Sequence, residues 1–330
     1  MIRAISLKNG LSEVATDFAA INSAIESRSK LLWIDIFAEN HELKNEEISV
    51  LFDSFKFHEL SIEDCLFPQY QPKIEEFEEY VFVAVHGIKT KDCDCSDIEN
   101  KIFELDIFLG KDYIVTVHTE PIPQIDLLFE KAKLKPQVEL KSIDYLLYTM
   151  FDKIYNSYEF IVEKFNEKIN TIEDAILENP SRERMTEIFS FKKQLLSLKK
   201  VLEPQLNVYT YFTRESNGFI SKKYSVYFRD MLSNYKRASQ AIDSSNQIMG
   251  SLLEIYVSNV TLKLNEIIKF LTVIATIFLP ALLITSYFGM NVPFFERVLF
   301  GEENTWFFAF GIIILFTALT YIFIKRKKWF

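Results

Sequence analysis

Charge is absent from two long stretches of this chain. Residues 270–295, FLTVIATIFLPALLITSYFGMNVPFF, hold no charged side chain over 26 positions. A bilayer core about 30 Å thick takes roughly 20 apolar residues of helix, so this run is predicted to be a membrane span. A second run, Asn304 to Ile324, is uncharged over 21 residues and is bounded by Trp306 and Trp329, as expected of interfacial aromatics. Neither run offers an Asp, Glu, His, Lys or Arg to act as a proton relay, which argues against a proton-coupled carrier.

Other scarcities narrow the function further. The chain has eight glycines and no GxxxxGK loop, so ATP-driven pumping has no support. The three cysteines, Cys65, Cys93 and Cys95, are too few and odd in number for a disulfide framework and suggest a reducing compartment. Cys93 and Cys95 lie near His86, but their spacing is not the Cys-x₂₋₄-Cys of a zinc site, so residues 91–97 are expected to be a polar hairpin loop. The other histidines, His41, His58 and His118, are scattered and read as ordinary core or surface residues. A net charge of −9 argues against nucleic acid as a partner. The N-terminus has no apolar core, so no signal peptide is expected there. A membrane-anchored enzyme or sensor is the rival from another class, but no nucleophile motif or His–acid constellation supports it.

What is present is an α/β domain followed by long helices. Leu31–Phe37 (LLWIDIF) reads as a buried strand, and Tyr80–Lys89 with Lys101–His118 as three more, the last two joined at Gly110. Asn45–Phe55 is predicted as a short helix with Asn45 as N-cap. Ser61 is predicted to open another, with Glu63 and Asp64 serving its cap and dipole. From Ser142 the apolar period turns helical and runs to Asn179-Pro180. A second helix from Ser181 to about Tyr211 completes a helical hairpin. From about Tyr224 a third helical stretch meets no strong breaker until Pro280; continued to Tyr287, it is a stalk entering the membrane. The predicted domains are a cytosolic α/β domain with its hairpin (1–223), a stalk (224–269), a first span (270–291), a loop (292–303), a second span (304–324) and a basic tail (325–330).

Lys325, Arg326, Lys327 and Lys328 flank the second span, and Lys263 and Lys269 flank the first. The loop between them carries Glu296, Glu302 and Glu303 against Arg297 alone. The positive-inside bias then places both termini in the cytoplasm, in a cell or inner membrane.

Several segments point to one family. Gly289-Met290-Asn291 stands near the end of the first uncharged run, preceded by Tyr287-Phe288. Upstream stands Ala275-Thr276-Ile277-Phe278-Leu279-Pro280, and the basic end reads Lys325-Arg326-Lys327-Lys328-Trp329. Gln71-Pro72-Lys73-Ile74-Glu75-Glu76-Phe77 and Tyr227-Phe228-Arg229-Asp230 lie in the soluble part. In this combination and order they resemble the CorA family of magnesium channels, with Gln71 in place of the family's Arg.

The resemblance implies a funnel-shaped homopentamer in the lipid bilayer that admits Mg²⁺ passively, with the first span lining the pore. Gly289, Met290 and Asn291 would form the selectivity filter. Five Asn291 amides would hydrogen-bond the hydration shell that Mg²⁺ gives up reluctantly. Stepping back along the helix from Asn291 gives Gly289, Ser286, Leu282, Leu279, Ala275, Leu271, Ile268, Asn265 and Thr261; the apolar members would form a dewetting gate. Taken without the resemblance, the same face reads as a helix-packing stripe. Asp64 resembles the family's regulatory acid and Asp230 its partner on the next subunit, with Glu63 assisting, so Mg²⁺ is expected to be regulator as well as cargo. The plainer alternative for Asp230 is an ion pair with Arg229 or Lys223. The chain departs from the family at Leu282, where many members have threonine, and in the loop Val292-Pro293-Phe294-Phe295-Glu296, which lacks Met-Pro-Glu-Leu. Glu296, Glu302 and Glu303 would there attract cations electrostatically. Co²⁺, Ni²⁺ and Zn²⁺ are the rival cargoes; Met290 favours magnesium.

Overall fold

The computed structural model of the protein describes residues 1–8, 11–26, 31–39, 43–67, 71–90, 97–178, 181–214, 218–289 and 305–326. It divides into two units, Met1–Leu253 and Glu254–Phe330.

The first unit is built on one seven-stranded sheet. Its strands are β1 (Ile2–Lys8), β2 (Leu11–Ala15), β3 (Leu31–Phe37), β4 (Lys73–Glu76), β5 (Val81–Ile88), β6 (Ile102–Leu109) and β7 (Tyr113–His118), in spatial order β2-β1-β3-β7-β6-β5-β4. All pairs are antiparallel except β3 with β7. Strands β3, β5 and β7 are apolar on both faces because helices cover both sides, which is why their sequences read as continuous rather than alternating runs.

One face packs on α1 (Phe18–Glu26), α2 (Asn45–Ser49), a π turn at Val50–Ser54, and α3 (Glu59–Leu66). Here Leu32, Ile34, Val115, Phe82 and Phe108 meet Ile21, Leu51, Phe57, Ile62 and Cys65. Phe57 stacks on Phe108 at 4.1 Å. Two predicted helix starts are corrected. Lys44, not Asn45, is the N-cap of α2; Glu47 reaches back to its N–H at 2.8 Å. Helix α3 begins at Glu59, two residues before Ser61, because the His58 ring accepts the Leu60 N–H. Ser61 is instead buried inside the helix, 3.3 Å from the Tyr80 hydroxyl.

The other face is covered by α4 (Pro123–Leu134), the short α5 (Pro136–Glu139), α6 (Ile143–Glu178) and α7 (Arg182–Phe212). Helices α6 and α7 are the expected hairpin, and Lys168 of one bonds Glu187 of the other. Pro204 lies inside α7. Helix α8 (Lys222–Gly289) is one continuous element of 68 residues, including Pro280. Its first part packs in this unit through Phe228, Met231, Tyr235 and Ile242, a stripe at helical spacing. Strands β1, β2 and β4 and helices α1, α4 and α5 have no counterpart in the sequence reading.

Strand β4 pairs only with residues Val81–Ala84 of β5. Beyond Ala84 the edge of β5 is closed by side chains. Gln205 accepts from the His86 N–H at 2.8 Å and donates to the His86 carbonyl at 3.0 Å, as a neighbouring strand would. Ser157 accepts from the Ile88 N–H at 3.1 Å. An open strand edge invites wrong pairing, and these contacts occupy it.

The second unit holds the remainder of α8 and a helix α9 (Thr305–Arg326), which ends in Lys325 and Arg326.

Candidate ion pathway and regulatory carboxylates

From Phe270 to Gly289, α8 is apolar and leaves most of its surface uncovered. Val273 is buried, and Ile277, Pro280, Ala281 and Ile284 are partly so. On α9 the less exposed residues are Ile312, Ile313, Thr317, Thr320 and Ile324. The sequence-predicted pore positions lie on the other side of α8. At 100° per residue, Ile268, Leu271, Ala275, Leu279, Leu282 and Ser286 centre about 180° from the Val273–Ile284 stripe. Leu282 is 70 % exposed, Leu279 60 %, Leu271 58 % and Ile268 58 %. Asn265 and Thr261 are exposed on the same helix. Thr272, Thr276 and Thr285 bond back to the carbonyls of Ile268, Thr272 and Ala281, so their hydroxyls are satisfied within the helix. A Cβ built on Gly289 meets nothing within 4 Å. Met290, Asn291, Glu296, Glu302 and Glu303 lie outside the described residues, as do His41, Cys93 and Cys95.

The predicted regulatory acids belong to the first unit. Glu63 is exposed on α3, and Asp64 beside it is partly buried. Asp64 pairs with Lys73 of β4, and Lys73 lies 3.3 Å from Glu75 as well. Burial opposes the Lys73 charge, but the bond to Asp64 and the nearby Glu75 raise its pKa above the ordinary value. Asp230 is exposed on α8 and makes no ion pair with Arg229 or Lys223 among the described residues. Asp64 and Asp230 supply carboxylate oxygens, the donor type that suits a hard cation such as Mg²⁺. No group of three or more His, Cys, Asp or Glu able to hold a metal occurs among the described residues of one chain.

Three buried polar clusters escaped the sequence reading. Asp35 of β3 meets Arg3 at 2.7 Å and accepts the Thr116 hydroxyl at 2.5 Å. His118 Nε2 is 3.5 Å from it, so this histidine has an acid neighbour after all. Burial alone would push the Asp35 pKa up, but His118, Arg3 and Thr116 hold it below the usual carboxylate range. Burial depresses His118 and its contact with Asp35 outweighs this, leaving its pKa raised. On the opposite face, His86 Nε2 lies 3.2 Å from Glu104, and Asp106 is buried two residues further along β6. Burial, with Glu104 beside it, pushes the Asp106 carboxyl well up. The third cluster joins Gln205 to Tyr209 and Tyr235, each at 3.2 Å, with the two hydroxyls 2.6 Å apart. Most of these partners come from different elements, Tyr209 and Tyr235 26 positions apart and Asp35 and Thr116 81 apart, and no local motif announces them.

An α/β domain joined by one unbroken helix to a segment of exposed leucine, isoleucine and phenylalanine defines a membrane-embedded protein with a large soluble part. The sequence matches the family described as CorA-like Mg2+ transporter protein over residues 28–326. A cobalt/magnesium transport protein CorA of Thermotoga maritima is 27 % identical over 302 residues, covering 90 % of this chain and 83 % of that one. A putative metal ion transporter of Bacillus subtilis, YfjQ, is 24 % identical over 298 residues, covering 90 % and 89 %. Among solved structures, the complete CorA magnesium transporter from Methanocaldococcus jannaschii superposes with a TM-score of 0.81 at 20 % identity, covering 100 % of this chain and 99 % of that one. The full-length CmaX protein gives 0.70 at 15 % identity, covering 91 % and 89 %. At these identities the structural likenesses establish the fold. The chain belongs to the CorA-like Mg²⁺ transporter family. It is a divalent cation transporter of the membrane and not an enzyme.

Proposed function

We propose that the chain is a passive Mg²⁺ uptake channel of the cell membrane, assembled as a homopentamer and closed by internal Mg²⁺. One observation carries the reading: the polar-ended, apolar-centred face of α8 is left uncovered by α9. One helix cannot enclose an aqueous path, so that face meets its like in neighbouring subunits around the pore. Residues 224–269 form the stalk, 270–291 the pore-lining span, 292–303 the outer loop, 304–324 the second span and 325–330 a cytoplasmic tail. The termini are cytoplasmic, with Lys263, Lys269 and Lys325–Lys328 on that side.

Five Asn291 amides, exposed by the turn at Gly289-Met290, bind hydrated Mg²⁺ at the mouth. Glu296, Glu302 and Glu303 raise its local concentration. Rings of Leu282, Leu279, Ala275, Leu271 and Ile268 gate the path by dewetting, and Asn265 offers an inner polar ring. A divalent ion gains about 4.6 kcal/mol in crossing 100 mV inward, so no fuel is needed. Asp64 of one subunit and Asp230 of the next, with Glu63 nearby, hold internal Mg²⁺ and keep the subunits together in the closed form. That control works only through tighter binding to the closed arrangement.

The test is flux into liposomes with an entrapped Mg²⁺ dye. Wild type admits the ion, and Asn291→Ala assembles but loses uptake. Absence of flux through an assembled wild type overturns the channel reading. Co²⁺ belongs in the same assay as the second cargo, because the Thermotoga relative is named a cobalt/magnesium transport protein. Ni²⁺ and Zn²⁺ serve there as comparison ions.

A further inference from the structure

Asp64 is partnered inside its own chain, and the partner sits between two carboxylates. Lys73 projects from the edge strand β4 and bonds Asp64 across the gap to α3. Its ammonium is 3.3 Å from Glu75 on the same strand and 5.4 Å from the centre of the Phe82 ring. The Asp64 and Lys73 side chains are 19 % and 26 % exposed, whereas Glu75 is 43 % exposed. Asp64 also falls in the last turn of α3, where the helix dipole favours a positive charge beside it. Behind the pair, Lys73 stands opposite Ala84, and Ala84 opposite Asp106, so one row across the sheet runs from this cation to a buried acid.

We propose that Lys73 is a built-in competitor of the regulatory divalent cation at Asp64, with Glu75 as the site to which its ammonium withdraws when the cation binds. The inference rests on the reading of Asp64 as a regulatory ligand. A divalent ion must displace the ammonium from the Asp64 oxygen before it can use that oxygen. Lys73 gives up one carboxylate but keeps the other, so the exchange leaves its ammonium paired. The pair thus weakens cation binding and sets the threshold of feedback above that of a bare carboxylate. Two opposite shifts follow. Removing Lys73 takes its positive charge away from Asp64 and tightens binding. Removing the Glu75 charge leaves Lys73 with Asp64 alone and loosens it.

The experiment uses the full-length chain in detergent, with MgCl₂ as the probe and the Mg²⁺-dependent rise in melting temperature as the readout. Closure of the channel in liposomes at rising internal Mg²⁺ is the second readout. Lys73→Gln is expected to lower the half-effective Mg²⁺ concentration about fivefold, the factor carried by a partly exposed ion pair of about 1 kcal/mol. Glu75→Gln is expected to raise it about twofold, the pair being more exposed. Lys73→Arg keeps the charge and is expected to stay near wild type. An unchanged or raised midpoint in Lys73→Gln, or a Lys73→Arg that behaves like Lys73→Gln, overturns the proposal. If Lys73→Gln does not fold, the direction of the Glu75→Gln shift decides. Asp64→Asn separates the two levels. An intact Mg²⁺ response in that variant sinks the regulatory reading itself. A lost response there, with Lys73→Gln unmoved, sinks only the competitor.

Discussion

Replacing Gln205 by Leu removes the side chain that completes the edge of β5. Gln205 is fully buried and takes both backbone groups of His86. Leucine fills similar space but takes the Gln205 acceptor away from the His86 N–H. An orphaned buried donor costs about 1–3 kcal/mol. The His86 carbonyl keeps the Tyr158 hydroxyl at 2.9 Å, so its loss is smaller. Tyr209 and Tyr235 each lose a donor but keep their mutual bond at 2.6 Å. The sum is about 2–4 kcal/mol. For a domain of this size that corresponds to a fall in Tm of about 5–15 °C. Thermal melts of the full-length chain in detergent, followed by circular dichroism, supply the measurement. Tyr235→Phe, which removes one hydroxyl, is expected to cost about 1 kcal/mol. A fall of less than about 2 °C for Gln205→Leu would refute the view that this amide substitutes for a strand.

Two further outcomes are expected. The Asp35–His118–Arg3 cluster makes stability pH-dependent. Asp35, depressed in the fold, contributes above its ordinary pKa and loses its contribution as pH falls through the folded value. His118, raised in the fold, contributes fully below its ordinary pKa and loses its contribution as pH rises through the folded value. The cluster is therefore strongest between about pH 4 and 6.5. Between about pH 6 and 9, wild type is expected to lose more melting temperature than His118→Asn; equal losses in the two would remove the histidine from the account. For topology, a cysteine placed at Glu302 is expected to react with an impermeant thiol reagent from outside intact cells. Labelling confined to the cytoplasmic side would reverse the proposed orientation.

The features legible in the sequence are those whose physics is local. The uncharged run after Phe270 declares a membrane helix because the requirement is a count of apolar residues along one helix. Helices α6, α7 and α8 were readable because their apolar period repeats over many turns, and β3, β5, β6 and β7 because β-branched and aromatic residues crowd short runs. Strands β1 and β2 carry no such run. Ile2-Arg3-Ala4-Ile5 mixes small, charged and apolar residues because one face meets the core and the other meets the Asp35 cluster. What tertiary structure alone decided is which groups meet. Asp64 and Lys73 sit in different elements, and only the approach of α3 to the edge strand makes them partners. Gln205 and His86 are 119 residues apart and join because β4 is too short to cover β5. In α8 apolar residues lie on every side between Phe270 and Gly289 and no residue is charged, so hydropathy alone does not single out one face. Burial makes that distinction: Val273 is buried and Ile277 and Ile284 are partly so, whereas Leu271, Leu279 and Leu282 are exposed, and a covered side chain is no longer available to line a pore.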